Sequence, residues 1–260
     1  MSVHFILQPK GGVGKSYVAS ILSQYFIDKG IQIEGFDLDP SNPTYSEYAE
    51  LPISRLDLLE DKLGLKQSDN EVRQIDNNKF NAFTESLYQA PEKTELIVDC
   101  GSSAFIPVIN YLKKFRIEQW LASLNRPVVI HTIVKGGGEM VDTLEASDAL
   151  LKQFPESPFV VWLNEYQFPV LIQGKSFIDT PVYKANAKRI IDVVPLPKYT
   201  SGFLEGDLDK MIEARLTLKE SLEKGIFNVL SQRALFLYKS DLWERLDLFY
   251  KNYLTYMSKV

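Results

Sequence analysis

Apolar positions along this chain follow two periods. Unbroken apolar runs, Val3 to Leu7, Ile31 to Phe36, Leu96 to Val98, Val128 to Val134, Phe159 to Leu163 and Ile190 to Val194, are short enough for strands and lack polar alternation. Such runs predict strands buried on both faces, as in a parallel sheet. Between them apolar residues recur at helical spacing: Val18, Ile21, Leu22, Tyr25 and Phe26; Phe80, Phe83 and Leu87; Ile109, Leu112 and Phe115 through Trp120; Met140, Leu144, Leu150, Leu151 and Phe154. Gly30 closes the first helix, and Pro91 follows the second. Leu56, Leu59 and Leu63 suggest a further helix broken at Gly64, and Ser68 to Asn78 reads as a polar loop. From Leu208 onward the pattern is helical, with a break at Gly225 and a last helix over about 227–257 carrying Leu235, Leu242, Leu246, Phe249, Tyr253 and Met257 in register. Strands alternating with helices predict an α/β fold: a doubly wound, mostly parallel sheet with helices on both faces.

Composition narrows the class. With 260 residues, 45% hydrophobic and 24% charged, the chain suffices for one core, expected as a single domain over 1–260 with a helical C-terminal part from about 206. A net charge of −5 gives no global preference for nucleic acid, and no basic stripe or preceding helix-turn-helix is evident, which leaves DNA binding open. The single cysteine, Cys100, excludes an intrachain disulfide framework and fits a reducing cytoplasm. It reads as a small buried residue rather than a redox sensor, since no second cysteine supports it. No N-terminal signal is expected, because the apolar run after Met1 is only a strand long, and no segment approaches the roughly 20 apolar residues of a membrane span.

The chemistry concentrates where the first strand meets the first helix, in Gln8-Pro9-Lys10-Gly11-Gly12-Val13-Gly14-Lys15-Ser16. Strand, glycine loop and helix form the context in which backbone N–H groups and a helix N-terminus cradle phosphates. Lys15 is expected on the β- and γ-phosphates and the Ser16 hydroxyl on Mg²⁺, with Gly11, Gly12, Val13, Gly14 and Tyr17 completing the cradle. Asp37 and Asp39, at i and i+2 on the end of the second strand, lie on one side of an extended chain. Asp99 ends the apolar strand Leu96 to Val98, the place of an acid that holds Mg²⁺ through water. Gly136-Gly137-Gly138 lacks a following Lys-Ser/Thr and reads as a strand-to-helix turn, not a second phosphate loop.

The second lysine of the loop gives the resemblance. Lys10 to Ser16 resembles the deviant Walker A motif, Lys-Gly-Gly-x-Gly-Lys-Ser/Thr, of the ParA/MinD family of P-loop ATPases. The resemblance implies a slow Mg-dependent ATP hydrolase that forms a homodimer on binding ATP, with Lys10 reaching the partner subunit's nucleotide. It also implies a catalytic set of Lys10, Lys15 and Asp39, with Asp39 orienting the attacking water, and a metal set of Ser16, Asp37 and Asp99. Asp37-Leu38-Asp39-Pro40 matches the family's second acidic motif, but Ser41-Asn42-Pro43 departs from its usual Gln-Gly-Asn continuation. Asn164, after the fifth strand, takes the place of the family's adenine-reading Asn, a reading favoured over that of an ordinary turn residue; Pro195 and Leu196 take the place of the loop along the base.

After Asp99 the family's usual Asp-x-Pro-Pro is replaced by Asp99-Cys100-Gly101-Ser102-Ser103-Ala104-Phe105, which is similar to the ParA-like TraL proteins of conjugative plasmids, with Cys100 where they carry Asn. That likeness implies conjugative transfer and a protein partner of a transfer or partition apparatus; plasmid partition and MinD-like membrane-associated positioning are the alternatives. A small-molecule enzyme of the dethiobiotin-synthetase type is a further one, against which Lys10 counts. The last helix is too poor in basic residues for a membrane-binding helix and is expected to pack on the domain or a partner. Its Tyr250, Tyr253 and Tyr256 resemble the tail of bacterial tyrosine kinases, but the basic residue that ends their acidic motif is lacking.

Overall fold

The computed structural model describes residues 1–59, 76–196 and 202–259, with 202–205 as helix backbone. Seven strands, β1 (Val3–Ile6), β2 (Gln32–Asp37), β3 (Ile53–Arg55), β4 (Thr94–Asp99), β5 (Val128–Lys135), β6 (Phe159–Asn164) and β7 (Ile190–Leu196), form one sheet in the order β3-β2-β4-β1-β5-β6-β7. Every pairing is parallel. Every residue of β1 and β4 is buried, which is why these strands read as unbroken apolar runs.

Helices cover both faces. On one lie α2 (Asn77–Gln89), α3 (Phe105–Lys114), α4 (Ile117–Ser123) and α5 (Met140–Gln153), contributing Phe80, Phe83, Ile109, Leu121 and Leu151 to a core with Phe5, Val98 and Val161. On the other lie α1 (Lys15–Asp28), α7 (Gly202–Glu213), α8 (Leu218–Glu223) and α9 (Val229–Met257), packed over Ile6, Val129 and Trp162. A short helix α6 (Pro181–Asn186) precedes β7 and is capped by the Thr180 side chain. The doubly wound parallel architecture expected from the sequence is the one present.

Several local expectations differ. The helix through Leu56 and Leu59 does not form: β3 ends at Arg55 and residues 56–59 are not helical, while Leu63, Gly64 and residues 68–75 of the expected polar loop lie outside the described residues. Asn77 and Asn78 of that loop already belong to α2, because the Asp76 carboxylate accepts from the Asn78 and Lys79 amides and starts the helix there. The helix expected from Ile109 to Trp120 is two, since Arg116 adopts φ 49° between α3 and α4. β7 extends through Pro195, which sits beside Leu163 of β6 in an edge strand where a missing N–H is tolerated.

Helix α9 buries Leu235, Tyr238, Leu242, Leu246, Phe249 and Tyr253, spaced three or four residues apart. At about 1.5–3 kcal/mol for each large apolar side chain taken from water, this stripe holds the helix firmly to the sheet. The Phe249 and Tyr253 face that a membrane helix would insert into lipid is therefore core, and Tyr253 is no free tail tyrosine. Among the described residues, no helix is long and apolar enough to cross a membrane.

Beneath α9 runs a buried polar chain. Trp162 Nε1 donates to His131 Nδ1 at 2.9 Å, so the His131 proton sits on Nε2 and is donated to His4 Nδ1, 2.9 Å away. The proton of His4 is thereby fixed on Nε2, which lies 3.4 Å from Glu95 Oε2. The Ser2 amide and the Tyr253 hydroxyl donate to the same carboxylate at 2.6 and 3.1 Å. Burial, with the neighbouring His4, holds His131 well below its ordinary pKa.

Candidate functional site: a phosphate loop at the sheet's carboxyl edge

The strand register levels the chemistry. Asp99 stands opposite Ile6 on one side and Asp37 on the other, so the phosphate loop and two acids leave the sheet at the same height. The loop is anchored by Gln8, whose amide donates to the Ile133 and Thr143 carbonyls. Gly12 and Gly14 adopt φ 69° and 99°, left-handed conformations that a glycine takes without strain. Lys15 is buried and donates to the Lys10 carbonyl at 2.9 Å, so its ammonium lies inside the curl of the loop. Burial holds its pKa below the ordinary lysine value, against the pull of Asp99.

Ser16 Oγ donates to Asp99 Oδ2 at 2.5 Å, while Asp99 Oδ1 is buried without a hydrogen-bond partner. Burial raises the Asp99 carboxyl to about 7; the charges of Asp37 and Asp39 add to this and the Ser16 hydrogen bond and Lys15 oppose it. A half-buried hydroxyl and an orphaned carboxylate oxygen side by side are a donor set that fits a hard divalent cation and its waters. Asp37 is engaged differently: its Oδ1 accepts from the Asp39 amide at 3.0 Å and its Oδ2 from the Ser46 amide at 2.8 Å. It holds the turn after β2 and adds negative charge beside Asp99. The Asp39 carboxylate accepts from the Ser41 and Asn42 amides at 2.9 and 3.1 Å. Cys100 is fully buried and burial raises its thiol far above the ordinary value, as suits a packed residue.

Lys10 points away from Lys15. Its ammonium is exposed and pairs with Asp142 of α5 at 2.8 Å, which holds its pKa above the ordinary value. Beside the loop lies a cavity of about 230 Å³ lined by Gly14, Tyr17, Asn164, Tyr166, Leu196 and Tyr238, among others. The Asn164 amide donates to the Val13 carbonyl at 2.9 Å and its oxygen accepts from the Tyr166 amide, so its orientation is fixed. Of the two residues expected along a base, Leu196 lines this cavity and Pro195 lies in the ladder with Leu163. Sequence reading missed Tyr238, whose hydroxyl is 2.6 Å from that of Tyr17, as well as Asp142 and Lys135, which bonds the Gly12 carbonyl at 3.2 Å. Each comes from an element distant in sequence, and no local pattern marks it.

The model of the CobQ/CobB/MinD/ParA nucleotide-binding domain matches residues 4–232. The chain belongs to this nucleotide-binding family. It is 33% identical over 246 residues to a Protein TraL of Escherichia coli, an alignment spanning 94% of this chain and 97% of the relative, and 32% identical over the same spans to a second TraL from that organism. Among solved structures, the MinC:MinD cell division protein complex of Aquifex aeolicus is similar at 17% identity and a TM-score of 0.48, covering 93% of this chain and 95% of that one. The matched region contains the glycine loop, Ser16 and Asp99.

Proposed function

We propose that the chain hydrolyses ATP with Mg²⁺ and acts as a nucleotide-switched dimer in plasmid conjugative transfer or in the positioning of DNA or protein. The observation that carries the ATPase reading is the Ser16–Asp99 pair with its unpartnered Oδ1, set against a glycine loop already holding Lys15. Mg²⁺ held by Ser16 and Asp99, with Asp37 behind them, would neutralise charge on the β- and γ-phosphates. Lys15 turns from the Lys10 carbonyl to the same phosphates. Asp39 orients the attacking water, and its fixed carboxylate at the loop mouth supports that role. The cavity beside Gly14 takes the base, with the Asn164 amide at its edge.

Similarity to TraL along almost the whole chain supports the transfer process over partition or membrane-associated positioning. It equally disfavours a small-molecule enzyme, since Lys10 has no work in a monomeric site. In the dimer, Lys10 leaves Asp142 and reaches the partner subunit's nucleotide; hydrolysis then releases the dimer from a protein of the transfer apparatus. Calorimetric titration with ATP, with and without Mg²⁺, followed by a phosphate-release assay, tests the core of this reading. Saturable Mg-dependent binding with slow release is expected, and no binding at millimolar ATP would sink it.

A further inference from the structure

Gly137 sits in a tight place and has a left-handed φ of 87°; Gly101 sits in one as tight without that backbone reason. It is absent from the residues with positive φ, so an alanine there would face no backbone strain. What excludes a side chain is Asp39. A Cβ built on Gly101 would overlap the Asp39 carboxyl carbon and Oδ2 and stand 2.5 Å from Asp39 Cβ. The carboxylate cannot swing aside freely, because its Oδ1 already accepts from the Ser41 and Asn42 amides. Asp39 thus lies in the space that a side chain at residue 101 would fill.

The two neighbours of Gly101 extend the same contact. Ser102 Oγ reaches over the phosphate loop, 3.6 Å from where a Cβ of Gly11 would be, and Ser103 Oγ lies 3.4 Å from Ser41 Oγ. The segment after Asp99 is therefore packed at once against the acidic loop and the phosphate loop. We propose that Gly101 is a positioning residue for hydrolysis: its missing side chain sets where the Asp39 carboxylate stands relative to the phosphate loop. This rests on the reading above in which Asp39 orients the attacking water. A methyl group at residue 101 displaces that carboxylate and slows the chemical step, while the phosphate loop, Lys15 and Ser16 still bind nucleotide.

The test is a double-mutant cycle of Gly101→Ala and Asp39→Ala, read by single-turnover ATP hydrolysis and by calorimetric ATP affinity with Mg²⁺. Gly101→Ala is expected to lower the hydrolysis rate at least about tenfold, with ATP affinity within about threefold of the parent, as loss of a group acting in the transition state does. In the Asp39→Ala background, where the carboxylate is gone, the same alanine should change the rate by less than about twofold. An equal loss in both backgrounds would overturn the proposal, because Gly101 would then act on the fold or on another group. A Gly101→Ala rate equal to the parent's, with Asp39→Ala slow, overturns it too while leaving Asp39 standing. Should Asp39→Ala itself hydrolyse at the parent's rate, the reading of Asp39 fails first and the inference with it. Gly101→Ser, slightly larger on the same backbone, should be at least as slow as Gly101→Ala; parental speed in Gly101→Ser would count against steric positioning.

Discussion

Ser16 Oγ donates to Asp99 Oδ2 at 2.5 Å, and the other oxygen of that buried carboxyl has no partner. The pair joins the residue after Lys15 to the end of β4, 83 residues later in the chain. A carboxyl so placed is costly to ionise without a cation, and this gives the metal-free protein a distinctive pH dependence. With its folded pKa raised to about 7 from an ordinary 3.8, Asp99 binds a proton in the folded chain that the unfolded chain lacks between those values. The sign follows: this group favours the fold more as pH falls from about 7 toward 4, and its ionisation costs stability above 7. Asp99→Asn should therefore stabilise the metal-free chain at pH 8, by an amount on the order of 4 kcal/mol for a three-unit shift, by less than about half of that at pH 5, and hardly at all below pH 4. His131, kept neutral by burial, titrates in the opposite sense but does so in both chains and drops out of the difference. Urea unfolding in a chelator at pH 5, 6, 7 and 8 measures it, and a difference independent of pH would show that Asp99 is not the titrating group.

Lys15→Ala should abolish tight ATP binding. The ammonium is buried inside the loop and donates to the Lys10 carbonyl, 2.9 Å away. Removing it leaves the backbone donors but no cation for the β- and γ-phosphates. At least about a hundredfold loss in calorimetric affinity is expected, on the order of 2.7 kcal/mol. Unchanged affinity would mean that nucleotide binds elsewhere.

Asp39→Ala should bind ATP like the parent and hydrolyse it more slowly by about 10² or more, the usual scale for a group that handles the attacking water. The ATP-bound state should accumulate in consequence. Turnover within twofold of the parent would assign the water to a different residue.

Helix α9 offers a test of how far the molecule behaves as one unit. Phe249 is fully buried and meets His131 edge-on with ring centroids 6.1 Å apart. Phe249→Ala should cost about 3–5 kcal/mol, as for other buried aromatic truncations, within one cooperative unfolding transition. Two separate transitions in the parent would divide the helical C-terminal part from the sheet.

What was legible in the sequence was whatever is local. The phosphate loop is contiguous, the acids end apolar strands, and strands buried on both faces announce themselves as unbroken runs. β3 was not legible because three residues with an exposed Arg55 carry no period, and its place at the sheet edge is a tertiary fact. Leu56 and Leu59 imitate a helical spacing, while Leu58 and Leu59 are in fact buried from a non-helical segment. Asn164 and Leu196 were named from the family resemblance, and both line the cavity beside Gly14. The contact of Tyr17 with Tyr238 spans 221 residues, and the room Gly101 leaves for Asp39 spans 62, so neither has a signal in sequence spacing.

Lys10 is where the dimer reading stands or falls. In the structure its exposed ammonium is paired with Asp142 across 132 residues. Both side chains are exposed, 45% and 59%, so water and salt screen the pair and its ammonium is released at small cost. That suits a group destined for a partner subunit's nucleotide, since a two-fold interface would place the same patch on both sides. Lys10→Ala should leave ATP binding by one subunit largely intact, because Lys15 and the backbone donors remain. It should lose ATP-dependent dimerisation and the hydrolysis that depends on it together. Sedimentation with a non-hydrolysable ATP analogue, for parent and variant, decides the matter. The parent should dimerise at tens of micromolar, the order of ordinary weak association, and Lys10→Ala should stay monomeric at the same analogue concentration. A parent that remains monomeric would remove the switch and leave an ATPase assembled in some other way. A parent that dimerises equally without nucleotide would strip Lys10 of its role in trans while leaving the site of Lys15, Ser16 and Asp99 untouched.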